Sequence, residues 1–268
     1  MIMSARIDTL RLDGATMQYA VFGSGPGHLV IIPGMSLKSV MLSVDAVASV
    51  YSCFAKDYTI YLFDRKVPLE EDCSVFGMAG DMVKALNALG IVNADFFGTS
   101  QGGMIALTIA ARYPLLVRRL AVSSTLARQN EVCRRTMETW ERLSASGTPV
   151  ELNRDVFSKV YSPSYYERYR MAFARLEESG TPEEMRRFAL LARATRQFDI
   201  YGELDNVSCP VFVTGVENDT VLSGTGCREI AGKLGCRIKM YPGSGHAVYD
   251  EDRGYTRMLL EFFNEGRV

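Results

Sequence analysis

The chain has 268 residues, of which 47% are hydrophobic and 10% aromatic, which is enough for a large buried core and excludes an extensively disordered protein. Its formal net charge of −1 provides no overall field to hold nucleic acid or an anionic membrane surface. We expect a cytoplasmic protein with one core domain and no membrane partner, because the chain lacks a signal-peptide pattern and any apolar run of the roughly 20 residues that a membrane span needs.

The first predicted elements are two antiparallel strands joined at Asp13-Gly14, a dipeptide that suits the positive φ angles of a tight hairpin. Short apolar runs typical of buried parallel strands follow, at 28–32, 58–63, 94–97, 120–122, 211–214 and 237–241. Stretches of helical periodicity lie between these runs, at 82–89 and 104–112, and after the last of them, at 255–263. This alternation predicts an α/β fold, a mostly parallel twisted sheet with helices on both faces.

One segment breaks the alternation. Residues 129–199 show only helical patterns, including a helix start with a capping box at Thr181, Pro182 and Glu184. Aromatic residues recur there at every fourth position, at Tyr161, Tyr165, Tyr169 and Phe173. We expect 129–199 to form a helical cap inserted into a core made of 1–128 and 200–268. Helices that merely thicken the core are the alternative.

A candidate nucleophile lies between a predicted strand and a predicted helix. Gly98-Thr99-Ser100-Gln101-Gly102 carries the pattern G-x-S-x-G, which holds its serine in a strained turn at the carboxyl edge of the sheet. The glycines are needed because a Cβ at either position would collide with neighbouring backbone. The N–H of Gln101 lies at a helix N-terminus, where it favours a developing oxyanion. We predict that Ser100 is the nucleophile, although glycine-rich turns also occur for structural reasons alone.

The sequence contains two histidines, and their positions differ. His28 begins a predicted strand, opposite the carboxyl ends where chemistry gathers in such sheets, so we expect a structural role. His246 follows the last predicted strand in a glycine-rich loop and is the predicted general base. Of two carboxylates after strand 211–214, the shorter Asp219 at the end of its loop is favoured as the orienting acid, with Glu217 as the alternative.

A second loop offers an oxyanion donor. Pro33-Gly34-Met35-Ser36 leaves the first buried parallel strand, and the backbone N–H of Met35 can complete an oxyanion hole with that of Gln101, although a plain turn would look similar.

These residues together resemble the α/β-hydrolase superfamily over almost the whole chain. The matching segments are Pro33-Gly34-Met35, Asp64-Arg65 after strand 58–63, the elbow at 98–103, the stretch 209–215 that leads to Asp219, and Gly245-His246. The chain is similar to small, helical-capped members, which include esterases, thioesterases, carbon–carbon bond hydrolases and cofactor-free peroxidases. The resemblance implies a triad of Ser100, Asp219 and His246, with Met35 and Gln101 as oxyanion donors. Many relatives have histidine where this chain has Pro33, but the donor is backbone in both.

We therefore predict a serine hydrolase that cleaves an ester or related acyl bond of a small, largely apolar substrate through an acyl-enzyme, without metal or organic cofactor. An acyltransferase or carbon–carbon bond hydrolase with the same triad, and a non-catalytic ligand-sensing protein on the same fold, are the alternatives. A substrate pocket is predicted at Met104, Trp140, Tyr161 and Tyr165, although aromatic residues at helical spacing are often simply core.

The cysteines and two pairs of basic residues are predicted to have no functional role. The six scattered cysteines lack a C-x-x-C pair and are expected to be reduced, mostly buried thiols rather than a zinc or disulfide framework. The basic pairs Arg134-Arg135 and Arg186-Arg187 are expected to lie on solvated helix faces.

Overall fold

Eight strands form one sheet in the computed structural model, which describes residues 5–266. The strands are β1 (Arg6–Leu12), β2 (Ala15–Gly23), β3 (Gly27–Ile32), β4 (Tyr58–Val67), β5 (Ala94–Thr99), β6 (Val117–Ser123), β7 (Val211–Val216) and β8 (Arg237–Tyr241). They lie in the order β1-β2-β4-β3-β5-β6-β7-β8. Pairs β1–β2 and β2–β4 are antiparallel, and the other pairs are parallel. The predicted mostly parallel sheet is confirmed.

Local sequence explains both kinds of strand. At the β1–β2 hairpin, Asp13 and Gly14 have φ angles of 49° and 83°, as the dipeptide predicts. In β3, alternate residues belong to the apolar clusters on opposite faces of the sheet: Val30 and Ile32 join one cluster, Leu29 and Ile31 the other. Both faces are covered, so the strand is a continuous apolar run rather than an alternating one.

Helices cover both faces of the sheet. In chain order they are α1 (Val44–Val50), α2 (Val75–Ala88), α3 (Gln101–Arg112), α4 (Glu131–Ser146), α5 (Pro149–Val160), α6 (Pro163–Arg168), α7 (Arg170–Glu177), α8 (Pro182–Arg196), α9 (Gly224–Leu234), α10 (Val248–Glu251) and α11 (Tyr255–Asn264). Helices α2, α3 and α9 contribute to one apolar cluster, and α1 and α11 to the other. Within residues 5–266, no helix combines the length and apolar character needed to cross a bilayer.

Helices α4–α8 occupy the segment between β6 and β7 that breaks the alternation. Its two ends meet, since Arg128 and Asp199 form an isolated antiparallel bridge and the N–H of Ile200 donates to the Ala127 carbonyl at 2.7 Å. Helix α8 begins as the sequence predicts, with Thr181 as N-cap and a complete capping box to Glu184. Apolar residues of α4 and α8 continue the cluster formed by α2 and α3. The division of the chain into a core and a separate cap at 129–199 stays a prediction.

The aromatic series in this segment is not one continuous helix. Tyr161 follows α5 as its C-cap, Pro163 begins α6 after the N-cap Ser162, and Tyr169 lies between α6 and α7. A proline lacks the N–H that a continuing helix would need, which explains the break. The rings still meet: the centroids of Tyr161 and Phe173 lie 4.8 Å apart.

Several polar residues lie elsewhere than the sequence predicts. Asp64 and Arg65 are inside β4 rather than after it. Arg187 is not on a solvated face, because its guanidinium pairs with Asp64 at 2.8 Å and its side chain is mostly buried. This ion pair allows charged residues to continue a buried strand.

All six cysteines are free, and the prediction that they are mostly buried is wrong. Cys133 and Cys227 are buried, Cys53 is exposed, and the other three are intermediate. Burial raises the pKa of Cys227 to about 12, so this thiol stays protonated at neutral pH.

Candidate active site

Ser100 occupies a sharp turn between β5 and α3. Its φ and ψ are 52° and −123°, a conformation that a residue with a side chain rarely adopts. The turn is tight because backbone crosses backbone: a Cβ on Gly98 would lie 2.5 Å from the Gly102 carbonyl oxygen, and one on Gly102 would lie 2.0 Å from that of Ile32. The strained turn and its need for two glycines agree with the sequence prediction.

Neighbouring backbone fixes this turn. The N–H of Ser100 donates to the carbonyl of Ser123, the last residue of β6, at 2.9 Å. The Ser100 carbonyl accepts a hydrogen bond from the Thr125 hydroxyl at 2.7 Å. Ser100 itself is 9% exposed. The turn is therefore braced from the end of the adjacent strand and largely shielded from solvent.

His246 and Asp219 form a buried hydrogen-bonded pair. His246 Nδ1 lies 2.8 Å from Asp219 Oδ2, and the two residues are 3% and 6% exposed. The other carboxylate oxygen, Oδ1, accepts from the backbone N–H groups of Val221 at 2.8 Å and Leu222 at 3.0 Å. The aspartate side chain is thus held on one side and presented to the imidazole on the other.

These contacts decide the ionisation of Asp219. Burial by itself would raise the pKa of this carboxyl, but attraction to His246 and the hydrogen bonds from His246, Leu222 and Val221 outweigh burial and lower the pKa below its ordinary value. The carboxylate is therefore charged at neutral pH, and it can orient the imidazole and stabilise an imidazolium.

The other two candidates lie away from this pair. Glu217 forms an ion pair with Arg228 instead, and both side chains are largely exposed. His28 lies near the start of β3, with its ring 5.7 Å from that of Tyr61. Of the two carboxylates after β7, Asp219 is thus the one that contacts His246.

The two segments that carry the predicted oxyanion donors adjoin the serine. Met35 lies in the loop after β3, and a Cβ on its neighbour Gly34 would come within 3.1 Å of the Ser100 Cβ. Gln101 is the first residue of α3. Neither backbone N–H donates to another described residue. One N–H comes from a loop and the other from a helix N-terminus, and their role as oxyanion donors stays a prediction.

The side chain of Gln101 has a role that the sequence did not reveal. Its Nε2 donates to the carbonyl of Leu191 at 3.0 Å and to the Thr195 hydroxyl at 2.8 Å, both in α8. Its Oε1 accepts from the buried guanidinium of Arg65 at 3.3 and 3.4 Å. Gln101 thus joins the elbow to the inserted helices and to β4.

The loop that carries His246 is anchored to the inserted helices as well. Glu251 Oε1 accepts from the N–H of Gly245 at 3.1 Å and from that of Ser162 at 2.7 Å. The N–H of Ala247 donates to the carbonyl of Val160 at 2.9 Å. No local motif marks Glu251, because its partner Ser162 lies 89 residues away in the sequence.

The predicted pocket residues all have packing partners. Met104 is fully buried in α3, and Trp140 in α4 donates its indole N–H to Asp155 at 2.8 Å. Tyr161 and Tyr165 stack with centroids 5.1 Å apart, and the Tyr161 hydroxyl donates to Asp250 at 3.2 Å. Their place in a substrate pocket stays a prediction.

The chain belongs to the family described as alpha/beta hydrolase fold, whose model matches residues 27–253. Among curated proteins it is similar to the predicted carbamate hydrolase RutD of Agrobacterium fabrum, with 28% identity over 207 residues, 74% of this chain and 76% of the relative. RutD of Escherichia coli matches with 26% identity over 220 residues, 76% of this chain and 80% of that protein.

Solved structures share the fold. An α/β-hydrolase enzyme from a deep-sea metagenome library aligns with a TM-score of 0.85 at 21% identity, covering 97% of this chain and 98% of that one. The enol-lactonase of Burkholderia xenovorans aligns with a TM-score of 0.83 at 18% identity, covering 96% and 100%. The family match and the hydrolase names of the curated relatives identify the protein as an enzyme, a hydrolase of the α/β fold.

Proposed function

We propose that the protein hydrolyses an ester or related acyl bond of a small, largely apolar substrate through a triad of Ser100, His246 and Asp219. The observation that carries this proposal is the buried 2.8 Å contact between Asp219 and His246 Nδ1, in a fold whose elbow holds a strained serine. A carboxylate on Nδ1 keeps the proton there and leaves Nε2 as the basic nitrogen.

The reaction then proceeds in two halves. In the first, His246 removes the Ser100 proton as the serine oxygen attacks the carbonyl carbon, and the N–H groups of Met35 and Gln101 stabilise the oxyanion. His246 returns the proton to the leaving group as the acyl–oxygen bond breaks. In the second half, His246 activates water, which attacks the acyl-enzyme, and the carboxylic acid leaves as Ser100 regains its proton. The chemistry proposed for these residues uses no bound cofactor.

The substrate-binding part of the proposal rests on the inserted helices. We propose that 129–199 covers the serine as a cap and that Met104, Trp140, Tyr161 and Tyr165 contribute to its apolar lining. The contacts of Gln101 with Leu191 and Thr195 support a cap that touches the elbow directly. Relatives named as a carbamate hydrolase and an enol-lactonase recommend carbamates and lactones as test substrates beside simple esters.

The experiment that tests this proposal combines an active-site label with turnover. The purified protein is treated with a fluorophosphonate, the adduct is located by mass spectrometry, and hydrolysis of p-nitrophenyl esters, carbamates and lactones is measured. Ser100→Ala and His246→Ala should lose both the adduct and turnover. Ser124→Ala is a matched control, because it removes another buried serine hydroxyl, one with no hydrogen-bond partner among the described residues.

Each outcome distinguishes the alternatives. An adduct on Ser100 with release of free acid supports hydrolysis. Transfer of the acyl group to an added alcohol or thiol in preference to water would favour an acyltransferase. No adduct and no turnover in a folded protein would contradict the proposed triad and favour a ligand-sensing role.

A further inference from the structure

The peptide group between Pro33 and Gly34 is held at both of its polar ends. Its carbonyl oxygen accepts a 2.7 Å hydrogen bond from Arg65 Nη2, and its N–H donates to the Thr99 hydroxyl at 3.0 Å. Two bonds on opposite sides of one planar unit fix the plane, because rotation would break at least one of them. Arg65 comes from β4 and Thr99 from the end of β5, so two strands of the sheet hold this loop.

The next peptide unit along the chain carries the N–H of Met35. Its direction follows from the fixed plane through the two backbone torsions of Gly34 alone. Gly34 also lies against the nucleophile, with 3.1 Å between the Ser100 Cβ and the position of an added Cβ. The position and direction of the Met35 N–H relative to Ser100 therefore depend on the bonds of Arg65 and Thr99 together with the two torsions of Gly34.

The same guanidinium also reaches the second donor. Arg65 Nε and Nη2 lie 3.4 and 3.3 Å from the Oε1 of Gln101, whose own backbone N–H is the other proposed donor. Arg65 is 4% exposed; burial lowers its pKa to about 10, against the opposing effect of Asp64, so it stays charged at neutral pH. One buried cation thus contacts both segments of the proposed oxyanion hole.

Removing a charge from water costs free energy. The hydrogen bonds of the buried Arg65 guanidinium go to the Pro33 carbonyl and the Gln101 amide oxygen rather than to a carboxylate. We infer that Arg65 and Thr99 are positioning residues of the oxyanion hole, which act by fixing the Pro33–Gly34 peptide plane. This inference rests on the proposed function. It assigns to Arg65, the second residue of the Asp64-Arg65 segment, a role in transition-state stabilisation rather than in strand stability alone.

The test uses Arg65→Met and Thr99→Val, which remove the donor and the acceptor at nearly constant volume. The acylation rate constant is measured from the pre-steady-state release of p-nitrophenol, and the substrate dissociation constant from the same progress curves. Loss of a whole oxyanion donor slows catalysis by about 10²–10³-fold, so misdirection of a retained donor should slow acylation by about 10–100-fold. The dissociation constant should change by less than about two-fold, because the oxyanion exists only beyond the ground state.

Arg118→Met is the matched control. Arg118 in β6 pairs with the buried Asp95, so Arg118→Met also deprives a buried polar group of its guanidinium partner, but one that has no hydrogen bond to the oxyanion loop. It should lower the melting temperature yet leave acylation unchanged. In the double variant Arg65→Met/Thr99→Val, the loss should be smaller than the product of the single losses, because both bonds hold the same peptide group.

The outcomes separate this inference from the proposed function. A wild-type protein without adduct or turnover would overturn the proposed function and this inference with it. An active wild type, with folded Arg65→Met and Thr99→Val variants that acylate at its rate, would overturn the positioning role alone. If Arg65→Met does not fold, Thr99→Val decides: slowed acylation at unchanged dissociation constant supports the role, and an unchanged rate overturns it.

Discussion

Replacing Asp219 by asparagine tests the orientation of His246 with little change in shape. In the structure, Oδ1 of Asp219 is occupied by the N–H groups of Val221 and Leu222, so an asparagine would keep its oxygen there and turn its amide NH₂ towards His246 Nδ1. Two donors cannot share a hydrogen bond. The imidazole would therefore carry its proton on Nε2, facing away from Asn and unable to accept the serine proton.

The magnitude follows from this change of tautomer. Asparagine in the equivalent place of a serine protease triad lowers kcat by about 10⁴-fold, which corresponds to roughly 5 kcal/mol of barrier. We expect a loss of about 10³–10⁴-fold in kcat for Asp219→Asn. At neutral pH the melting temperature should fall only modestly, because the two amide contacts and the side-chain volume persist while the favourable charge interaction with His246 is lost.

The matched control is Glu217→Gln, since Glu217 is the other carboxylate after β7 and pairs with Arg228 at the surface. Ester turnover and circular dichroism are measured for both variants. We expect full turnover for Glu217→Gln. Turnover within ten-fold of wild type for Asp219→Asn, or a large loss for Glu217→Gln, would refute the assignment of the acid.

Three further predictions concern stability and the loops around the site. Gly102→Ala should lower the free energy of unfolding, measured in urea, by about 3 kcal/mol, because its Cβ would clash with the Ile32 carbonyl. The control Gly80→Ala in α2 places its Cβ in open space and should raise the free energy of unfolding by up to about 1 kcal/mol. Glu251→Ala leaves two backbone N–H groups without their acceptor, so kcat should fall and the free energy of unfolding should drop by about 1–3 kcal/mol. Glu261→Ala, which removes an exposed ion pair, should change neither quantity. Equal effects of the two variants would contradict the anchoring role of Glu251. The pKa of Asp219 is lowered in the fold, so its charge stabilises the protein fully above about pH 3.8, the ordinary pKa of the group. Below that pH, the free energies of unfolding of wild type and Asp219→Asn should converge. A difference between them that stays constant from pH 7 to pH 2 would contradict this.

The strands and the mostly parallel character of the sheet were accessible from the sequence for a physical reason. Strands buried on both faces need continuous apolar runs, and such runs are rare outside a parallel sheet. The carboxyl ends of those strands then limit where chemistry can gather. This is why position alone made Ser100, Asp219 and His246 candidates, and why the contact between Asp219 and His246 could be anticipated across 27 residues.

The contacts that hold the site were not accessible in the same way. Arg65 and Glu251 form hydrogen bonds with residues that are distant in the sequence, and no local sequence pattern predicts such bonds. Asp64 and Arg65 also look like residues beyond a strand end, because charged side chains inside a buried strand need partners. The partner of Asp64 is Arg187, which lies 123 residues later in the sequence and could not be paired with it from a local pattern. The aromatic series misled for a related reason: a period of four residues continued through Pro163, where the backbone could not continue as one helix.

The double attachment of Gln101 limits how this enzyme can be redesigned. A chimaera in which α4–α8 come from a relative with another substrate would remove the Leu191 carbonyl and the Thr195 hydroxyl that hold the Gln101 amide. The new helices would then have to supply a carbonyl and a hydroxyl at the same two places, or the Gln101 side chain would keep only its contact with Arg65. Grafts that retain the last two turns of α8 are therefore the ones in which specificity can change while the elbow keeps its geometry.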